Sequence, residues 1–142
     1  MRIHIITIGE PKLAYAKAGW QEYLKRLKHY HDVRVTHIAD KHNEPKYLLE
    51  AAGRAYKIAL TIEGTQLSSP ELAGFLEGQM LSHKEIAFLI GGPDGLQAEV
   101  LEKCNVQLSF SRLTFPHDLA MVILLESLYR AATISAGQPY HR

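Results

Sequence analysis

The stretch with the clearest potential for ligand-binding chemistry is Phe-Leu-Ile-Gly-Gly-Pro-Asp-Gly-Leu at residues 88–96. Its apolar first part predicts a buried strand, and the glycines, proline and aspartate that follow predict a tight, rigid turn. In open α/β sheets, ligands bind outside the carboxyl ends of the strands, and glycine allows the backbone to approach a ligand closely. We therefore expect a binding site around Gly91, Gly92 and Gly95, although a purely structural turn explains this stretch equally well.

The residue spacing argues against several common kinds of site. The glycine turn is not followed by Gly-Lys-Ser/Thr, as in a P-loop, and it lacks the Gly-x-Gly-x-x-Gly spacing of dinucleotide-binding proteins. The eight histidines lack the cysteine or carboxylate spacing of a zinc site, so we expect no metal. Ser111, His117 and Asp118 could form a hydrolytic set, but no serine lies in a Gly-x-Ser-x-Gly elbow, which disfavours acyl transfer.

Three further segments carry reactive side chains. Residues 111–118, Ser-Arg-Leu-Thr-Phe-Pro-His-Asp, predict a loop between a strand and a helix that is capped by Asp118. Glu126 and Arg130 lie on an otherwise apolar helix, where they need partners and could form an internal ion pair. The last five residues are either surface decoration or a reaching tail, in which Tyr140 could stack on a base and Arg142 could contact phosphate.

Apolar periodicity predicts strands that alternate with helices along the chain. The predicted strands span residues 2–8, 33–38, 56–62, 85–90 and 106–110. The predicted helices span residues 11–28, 47–54, a segment that begins at Pro70 with Ser69 as its cap, 97–104 and 119–136. We therefore expect an α/β fold: a single domain over residues 1–142, with a mostly parallel sheet of five to six strands and helices on both faces.

The composition fits one soluble, cytoplasmic domain. The chain has 142 residues and a single cysteine, Cys104, which suits a reducing compartment. No signal peptide is evident and no apolar run approaches the roughly 18 residues that a membrane span needs. The net charge of +1 argues slightly against a nucleic-acid partner unless basic residues are clustered locally. Such a cluster exists on the polar face of the first helix, which otherwise reads as an ordinary solvated face: Lys17, Lys25, Arg26 and Lys28.

The longest helix suggests a partner. Residues 119–125 are apolar without interruption, and a helix that is apolar all round is buried all round. In so small a domain, one side of this helix would meet something else, most simply a second copy of the chain. We therefore expect a homodimer.

Four segments together resemble one family. Phe-Leu-Ile-Gly-Gly-Pro-Asp-Gly, Leu-Thr-Phe-Pro-His, Glu-Ser-Leu-Tyr-Arg-Ala and the final Pro-Tyr-His-Arg are similar to the SPOUT-class (α/β-knot) methyltransferases that modify N3 of a pseudouridine in large-subunit (23S) ribosomal RNA. The resemblance runs along the whole chain and is most specific from residue 85 to residue 142. It implies a trefoil knot in about that region, a homodimer, and S-adenosylmethionine bound in the knot.

The resemblance also implies roles for individual positions. The cofactor-binding positions would be Leu60, Gly92, Ser111, Arg112, Leu113, Thr114, Phe115 and Pro116. His117, Tyr140, His141 and Arg142 match positions near the methyl donor, with the tail reaching the site of a partner subunit. Lys17, Lys25, Arg26 and Lys28 would join Arg142 in a shared basic groove for ribosomal RNA.

The implied reaction needs a base rather than a metal. Methyl transfer from a sulfonium is an in-line displacement in which positioning supplies much of the rate enhancement. The proton on the imide N3 of the target nucleobase must be lost near the transition state. Imidazole groups can accept such a proton, because they change protonation near neutral pH. Either His117 or His141 could take this proton. Two departures from the family pattern concern RNA contacts: Met121 replaces an expected basic residue, and Asp118 replaces a commoner proline.

Two other functions remain open from the sequence. The chain could be a SPOUT relative that methylates transfer RNA or another ribosomal RNA position. It could also be a non-catalytic, ribosome-associated protein with a vestigial cofactor pocket.

Overall fold

The computed structural model describes all residues, 1–142, as a five-stranded sheet with five α-helices. The strands are β1 (Arg2–Ile8), β2 (Asp32–Ile38), β3 (Tyr56–Gln66), β4 (Glu85–Ile90) and β5 (Val106–Ser109). The helices are α1 (Ala14–Leu27), α2 (Pro45–Ala52), α3 (Ser69–Ser82), α4 (Ala98–Lys103) and α5 (His117–Ser135), and a short 3-10 helix spans Asp40–His42. None of the helices combines the length and the apolar character needed to cross a membrane.

The strand order brings together, at one edge of the sheet, the loops that follow β3, β4 and β5, although these loops are far apart in the sequence. The order is β2-β1-β4-β3-β5, and every strand pairing is parallel. The carboxyl ends of all five strands therefore point to the same edge, where ligands of such sheets bind. The predicted α/β class and parallel sheet are confirmed, with five strands. The trefoil knot remains a prediction from the family resemblance.

Alternating side chains of the strands build one core on each face of the sheet. Ile3, Ile5 and Phe88 pack with residues of α1, α3 and α5 in the larger core. Ile6, Ile8 and Leu89 point to the other face and pack with residues of α2 and α4. Because β1 and β4 contribute to both cores, these two strands are largely apolar along their whole length.

Helix α5 is covered largely within its own subunit. It packs against both α1 and α3, and every residue from 117 to 134 is buried or half-buried. Met121 is fully buried in the larger core, so this position does not present a side chain to RNA. Within the apolar run 119–125, residues 121, 124 and 125 are buried and the other four are partly exposed. Burial between two helices thus explains part of the run, and the homodimer stays a prediction.

Several predicted boundaries differ from the structure for local reasons. Helix α1 begins at Ala14 rather than Pro11. The cap of α3 is Ser68, not Ser69: the Ser68 hydroxyl accepts from Glu71 N–H while the Glu71 carboxylate accepts from Ser68 N–H. Strand β3 continues past the predicted end at residue 62 to Gln66. Asp118 is not the cap of α5, because Pro116 occupies the cap position and the Asp118 carboxylate bonds elsewhere.

Candidate active site

A cleft of about 460 Å³ lies at the carboxyl ends of β3, β4 and β5. Its size falls within the range of roughly 300–1,000 Å³ that is usual for small-molecule sites. The predicted site residues that line it are Leu60, Gly92, Ser111, Leu113, Thr114, Phe115 and His117. The structure therefore brings together the end of the third strand, the glycine turn and the loop before α5.

The glycine turn forms one wall of this cleft because its backbone folds tightly on itself. Gly95 N–H donates to Gly92 carbonyl over 2.9 Å, and Gly95 has a positive φ of 79°, which glycine adopts most easily. A Cβ atom on Gly91 would lie only 2.7 Å from the Leu96 nitrogen. The family resemblance implies that Gly92 binds the cofactor. Within the turn, Gly91 is the glycine that has no space for a side chain.

A break in the pairing of β3 with β5 forms the wall of the cleft opposite the glycine turn. Leu60 and Thr65 both pair with Leu108 of β5, so residues 61–64 leave the regular ladder between them. A Cβ atom on Gly64 would lie 2.7 Å from the Leu108 backbone, so glycine is needed for this close approach. The displaced residues 61–63 line the cleft.

The loop after β5 is shaped by serine side chains. Ser109 Oγ donates to Ser111 carbonyl over 2.9 Å, and Leu113 N–H donates to Ser111 Oγ over 3.0 Å. These bonds leave Leu113 at the mouth of the cleft with 69% of its surface exposed. Such an exposed apolar side chain beside a binding site is suited to cover a ligand or to meet another surface.

His117 lines the cleft, and one of its two ring nitrogens is fixed by a hydrogen bond. Its Nε2 lies 2.7 Å from Ile8 carbonyl at the end of β1. A carbonyl only accepts hydrogen bonds, so Nε2 carries the proton. In the neutral ring Nδ1 then keeps a lone pair, and Nδ1 makes no hydrogen bond within the chain. Geometrically, His117 can accept one proton on the side of the ring away from Ile8.

The neighbouring carboxylate fixes the start of α5. Asp118 is 8% exposed, and its Oδ2 accepts from the backbone N–H groups of Lys12 and Leu13 over 2.8 and 2.6 Å. Asp118 therefore links α5 to the loop after β1. This link holds the backbone beside His117.

The C-terminal tail is docked on the outer side of α5. Arg130 pairs with Glu126 over 2.6 Å, and Tyr140 Oη donates to Glu126 Oε1 over 3.2 Å. The Arg130 guanidinium lies 4.8 Å above the Tyr140 ring, and Tyr129 meets the same ring edge-on at 4.6 Å. Burial, with the neighbouring Tyr23 hydroxyl and Glu126 carboxylate, raises the pKa of Tyr140, so its phenol stays a donor. The predicted ion pair of Glu126 and Arg130 is present, and it also anchors the tail.

In this docked tail the imidazole of His141 is not free to act as a base. Arg130 Nη1 lies 3.1 Å from His141 Nδ1, and a guanidinium can only donate, so Nδ1 is the acceptor. The remaining nitrogen, Nε2, then carries the proton of the neutral ring. The two candidate bases are thus distinguished: His117 has a free lone pair and His141 does not.

The tail and His117 do not meet within one subunit. Glu126 and Arg130 follow His117 by nine and thirteen positions along α5, which corresponds to roughly 14–20 Å at about 1.5 Å per residue. Tyr140 and His141 contact these two residues, so they lie far from the cleft of their own subunit.

The remaining predicted residues are placed as follows. Arg112 is exposed and borders an adjacent groove with Glu63 and Gly64, and Pro116 is exposed at the start of α5. Lys17 and Lys25 are exposed on α1, and Lys28 is exposed immediately after its last residue. Arg26 is bound to Glu22 over 2.7 Å and lies 5.6 Å from the centre of the Tyr129 ring, so it belongs to the surface beside the tail.

The structure also shows residues that sequence reasoning did not assign to the site. Gly91 and Asp118 act through backbone contacts that join segments distant in the chain, and only the glycine run hinted at the first of them. The Glu126–Arg130 spacing of four residues was a visible signal for a pair, but not for its role in docking the tail. No cluster of three or more histidine, cysteine, aspartate or glutamate side chains is arranged to hold a metal ion.

Alanine substitutions at the two adjacent glycines separate their roles. We expect Gly91→Ala to lower the free energy of unfolding by about 1–3 kcal/mol, because its Cβ would overlap the turn backbone. Gly92→Ala should change it by less than about 1 kcal/mol, because its Cβ would meet Asn43 Nδ2 at 3.4 Å and Ile8 Cγ2 at 3.5 Å. Urea unfolding followed by circular dichroism measures both. Equal stability of the two variants would contradict the assignment of the tight contact to Gly91.

Comparisons with known proteins agree with this geometry. A family model described as "Predicted SPOUT methyltransferase" matches residues 1–141. The "Ribosomal RNA large subunit methyltransferase H" of Deinococcus radiodurans is 51% identical over 145 residues, covering 100% of this chain and 99% of the relative. The protein of the same name from Carboxydothermus hydrogenoformans is 39% identical over 160 residues, with 100% of both chains covered.

Solved structures show the same fold at low identity. A probable methylase family protein from Haemophilus influenzae has a TM-score of 0.59 and 14% identity, covering 99% of this chain and 70% of that chain. The tRNA (m1G37) methyltransferase of Aquifex aeolicus has a TM-score of 0.57 and 13% identity, covering 100% of this chain and 74% of that chain. With the family match over nearly the whole chain and the full-length relatives, these findings show that the chain belongs to the SPOUT methyltransferase family.

Proposed function

We propose that this methyltransferase transfers a methyl group from S-adenosylmethionine to N3 of a pseudouridine in large-subunit ribosomal RNA, acting as a cytoplasmic homodimer. The names of its full-length relatives support the RNA class. The observation that carries the proposal is the cleft at the carboxyl ends of β3 to β5, which combines a close-packed glycine turn with an imidazole whose Nδ1 is free.

The residues present fit the cofactor. S-adenosylmethionine supplies, when bound, a methyl group activated by its sulfonium. The cleft has apolar walls from Leu60, Leu108 and Phe110 and a polar backbone at the glycine turn and at residues 111–114. Such a mixture suits a ligand with an adenine ring and polar ends. Leu60, Gly92 and residues 111–115 would hold it, with Gly91 keeping the turn closed behind them.

His117 is the proposed base. The N3–H bond of the target nucleobase would break with its proton passing to His117 Nδ1. The nitrogen lone pair so released would take the methyl group as the bond from that methyl group to the sulfonium sulfur breaks, and the sulfur would leave as a neutral thioether. The bond from His117 Nε2 to Ile8 carbonyl holds the ring so that Nδ1 stays the accepting atom. His141 is the alternative base, but its Nδ1 is already engaged by Arg130 in the docked tail.

The tail is proposed to act on the cleft of the partner subunit. It is ordered by Glu126, Tyr129 and Arg130 at a site far from its own cleft. In a twofold dimer that brings the α5 helices together, a tail fixed on the outer side of α5 would face the other subunit's cleft. Leu113, exposed at the mouth of the cleft, provides apolar surface for this contact.

The phosphates of the RNA are proposed to contact exposed basic side chains on and after α1. Lys17, Lys25 and Lys28 have no ion-pair partner in the chain, so they are available for phosphates. Arg26 is held by Glu22 and would serve mainly by ordering the surface next to the tail, where Arg142 lies.

The substrate class is tested with ribosomes from a strain that lacks the gene. We expect the purified protein and S-adenosylmethionine to add one methyl group to a pseudouridine of the large-subunit RNA, because the cleft is proposed to serve an imide nitrogen. Mass spectrometry of nuclease fragments locates the methyl group. Methylation of transfer RNA instead would assign the chain to another substrate, and S-adenosylmethionine binding without transfer to any RNA would overturn the proposed reaction.

The base is tested with His117→Gln, since glutamine can still donate to Ile8 carbonyl but cannot accept a proton near neutral pH. We expect kcat to fall by about 10²–10⁴, the usual contribution of a general base, and to recover as the pH is raised and N3–H ionises by itself. His141→Ala serves as the comparison and should keep the shape of the wild-type pH profile, whatever its rate. If His141→Ala shows the pH recovery and His117→Gln does not, the roles are reversed.

The tail's place is tested by mixing two inactive chains. One carries His117→Ala and an intact tail, and the other lacks residues 139–142 but has an intact cleft. If the tail acts across the dimer, subunit exchange creates one working site in each mixed dimer and restores about a quarter of wild-type activity at equal mixing. Activity is measured as methyl transfer to ribosomes. No recovery, with mixed dimers verified by native mass spectrometry, would place the tail's action within its own subunit.

A further inference from the structure

A second cleft, of about 770 Å³, opens at the carboxyl ends of β1 and β2, outside the proposed cofactor cleft. It lies between the loop after β1, the first half of α1 and the end of β2. The residues that matter for its chemistry are Glu10, Lys17, Trp20, Gln21, His37 and Asp40.

A single segment of the chain, the loop that follows β1, separates the two clefts. Residues 9–12 line the second cleft, while His117 of the first cleft is bonded to Ile8 carbonyl immediately before them. The Asp118 carboxylate holds the other end of this segment through Lys12 and Leu13. A ligand in the second cleft would therefore lie next to the group that we propose as the base.

The charges of the second cleft do not suit a bare phosphate. Lys12 is paired with Asp40 over 3.7 Å, and Glu10 offsets the charge of Lys17, although these two side chains form no ion pair. A phosphate site would show an excess of donors and positive charge. Carboxylates beside lysines and an amide instead offer both acceptors and donors, which is what the edge of a nucleobase requires.

The floor of the cleft is aromatic and presents a fixed acceptor. The Trp20 and His37 rings are 5.4 Å apart with a tilt of 49°. Thr7 Oγ1 donates to Gly9 carbonyl over 2.7 Å, so its 2.6 Å bond to His37 Nδ1 needs the proton on that nitrogen. Burial lowers the pKa of His37, which keeps the ring neutral. Its Nε2 therefore has a lone pair and no partner within the chain.

We propose that this second cleft receives an unstacked nucleobase of the RNA substrate, one that neighbours the methylated nucleotide. The inference rests on the proposed function, because it takes RNA as the substrate of the adjacent cleft. Single-stranded RNA is read in this way, by splayed bases whose edges hydrogen-bond and whose faces contact aromatic side chains. A cleft with both hydrogen-bonding characters, balanced charge and a shared wall with the catalytic imidazole meets these requirements.

Photocrosslinking tests where the RNA lies. Gln21 is exposed, makes no hydrogen bond in the chain and faces the cleft, so Gln21→p-benzoylphenylalanine places a reactive group there. Glu50 is exposed on α2, away from both clefts, and Glu50→p-benzoylphenylalanine is the matched control. With ribosomes from the deletion strain, the first variant should crosslink to a nucleotide within a few positions of the methylated one, and the control should not.

Kinetics test whether the contact contributes to binding. Gln21→Ala and Glu10→Gln should each raise KM for ribosomes about three- to tenfold, the equivalent of one lost hydrogen bond. The kcat at saturating ribosomes and the dissociation constant for S-adenosylmethionine should stay at wild-type values, and Glu50→Gln should change none of the three.

The outcomes separate the two proposals. If the wild-type protein methylates ribosomes but Gln21→p-benzoylphenylalanine crosslinks no more RNA than the control, the second cleft is not a base-binding site. Unchanged KM in both cleft variants, or a fall in kcat without a rise in KM, would overturn it as well. If the wild-type protein methylates no ribosomal RNA, the proposed function fails and this inference fails with it.

Discussion

The attachment of the start of α5 to the end of β1 is the constraint on which both clefts depend. His117 bonds to Ile8 carbonyl, and the buried Asp118 carboxylate accepts two backbone N–H groups from the following loop. Charge-assisted bonds to backbone amides are stronger than neutral ones, and leaving such buried groups unpaired is costly. The attachment therefore fixes three things at once: the tautomer of His117, the wall between the two clefts, and the direction in which α5 leaves the sheet edge.

The other end of α5 imposes a second constraint, which gives a physical reason for a dimer. Glu126 and Arg130 organise the tail through Tyr140 and His141, so the chain terminus is ordered rather than frayed. Helix α5 is rigidly packed between α1 and α3, so its two ends cannot approach each other. Within a single subunit, the docked tail therefore cannot reach the cleft. The apolar run in α5 is only partly explained by burial within the subunit, because residues 119, 120, 122 and 123 stay partly exposed. The distance between tail and cleft is a second, independent reason to expect a partner subunit.

Much of the fold and part of the candidate site followed from local sequence patterns. The β1 to β5 strands and the glycine turn were predicted because apolar runs ending in glycine and proline report on local backbone geometry. The contribution of Asp118 could not be predicted in this way, because its partners Lys12 and Leu13 are more than a hundred positions away. The predicted end of β3 at residue 62 is too early, because Glu63 and Gly64 resemble the start of a turn, whereas glycine at position 64 allows the chain to pass close to β5. Local sequence patterns thus predict the helices and strands, whereas the role of each polar side chain depends on contacts between segments that are far apart in the sequence.

The same distinction applies to the histidines, which the sequence presents as equivalent imidazoles. His117 is bonded to a carbonyl, His141 to a guanidinium and His37 to a hydroxyl whose own proton is already committed. Each partner can only accept, or only donate, and so decides which ring nitrogen carries the proton. His117, which lines the proposed cofactor cleft, keeps a free acceptor at Nδ1, and His37, which lines the second cleft, keeps one at Nε2, whereas His141 keeps none. Two of these residues thus keep a free acceptor, on different ring nitrogens, and the third keeps none. These differences follow from hydrogen-bond partners that neither composition nor spacing could reveal.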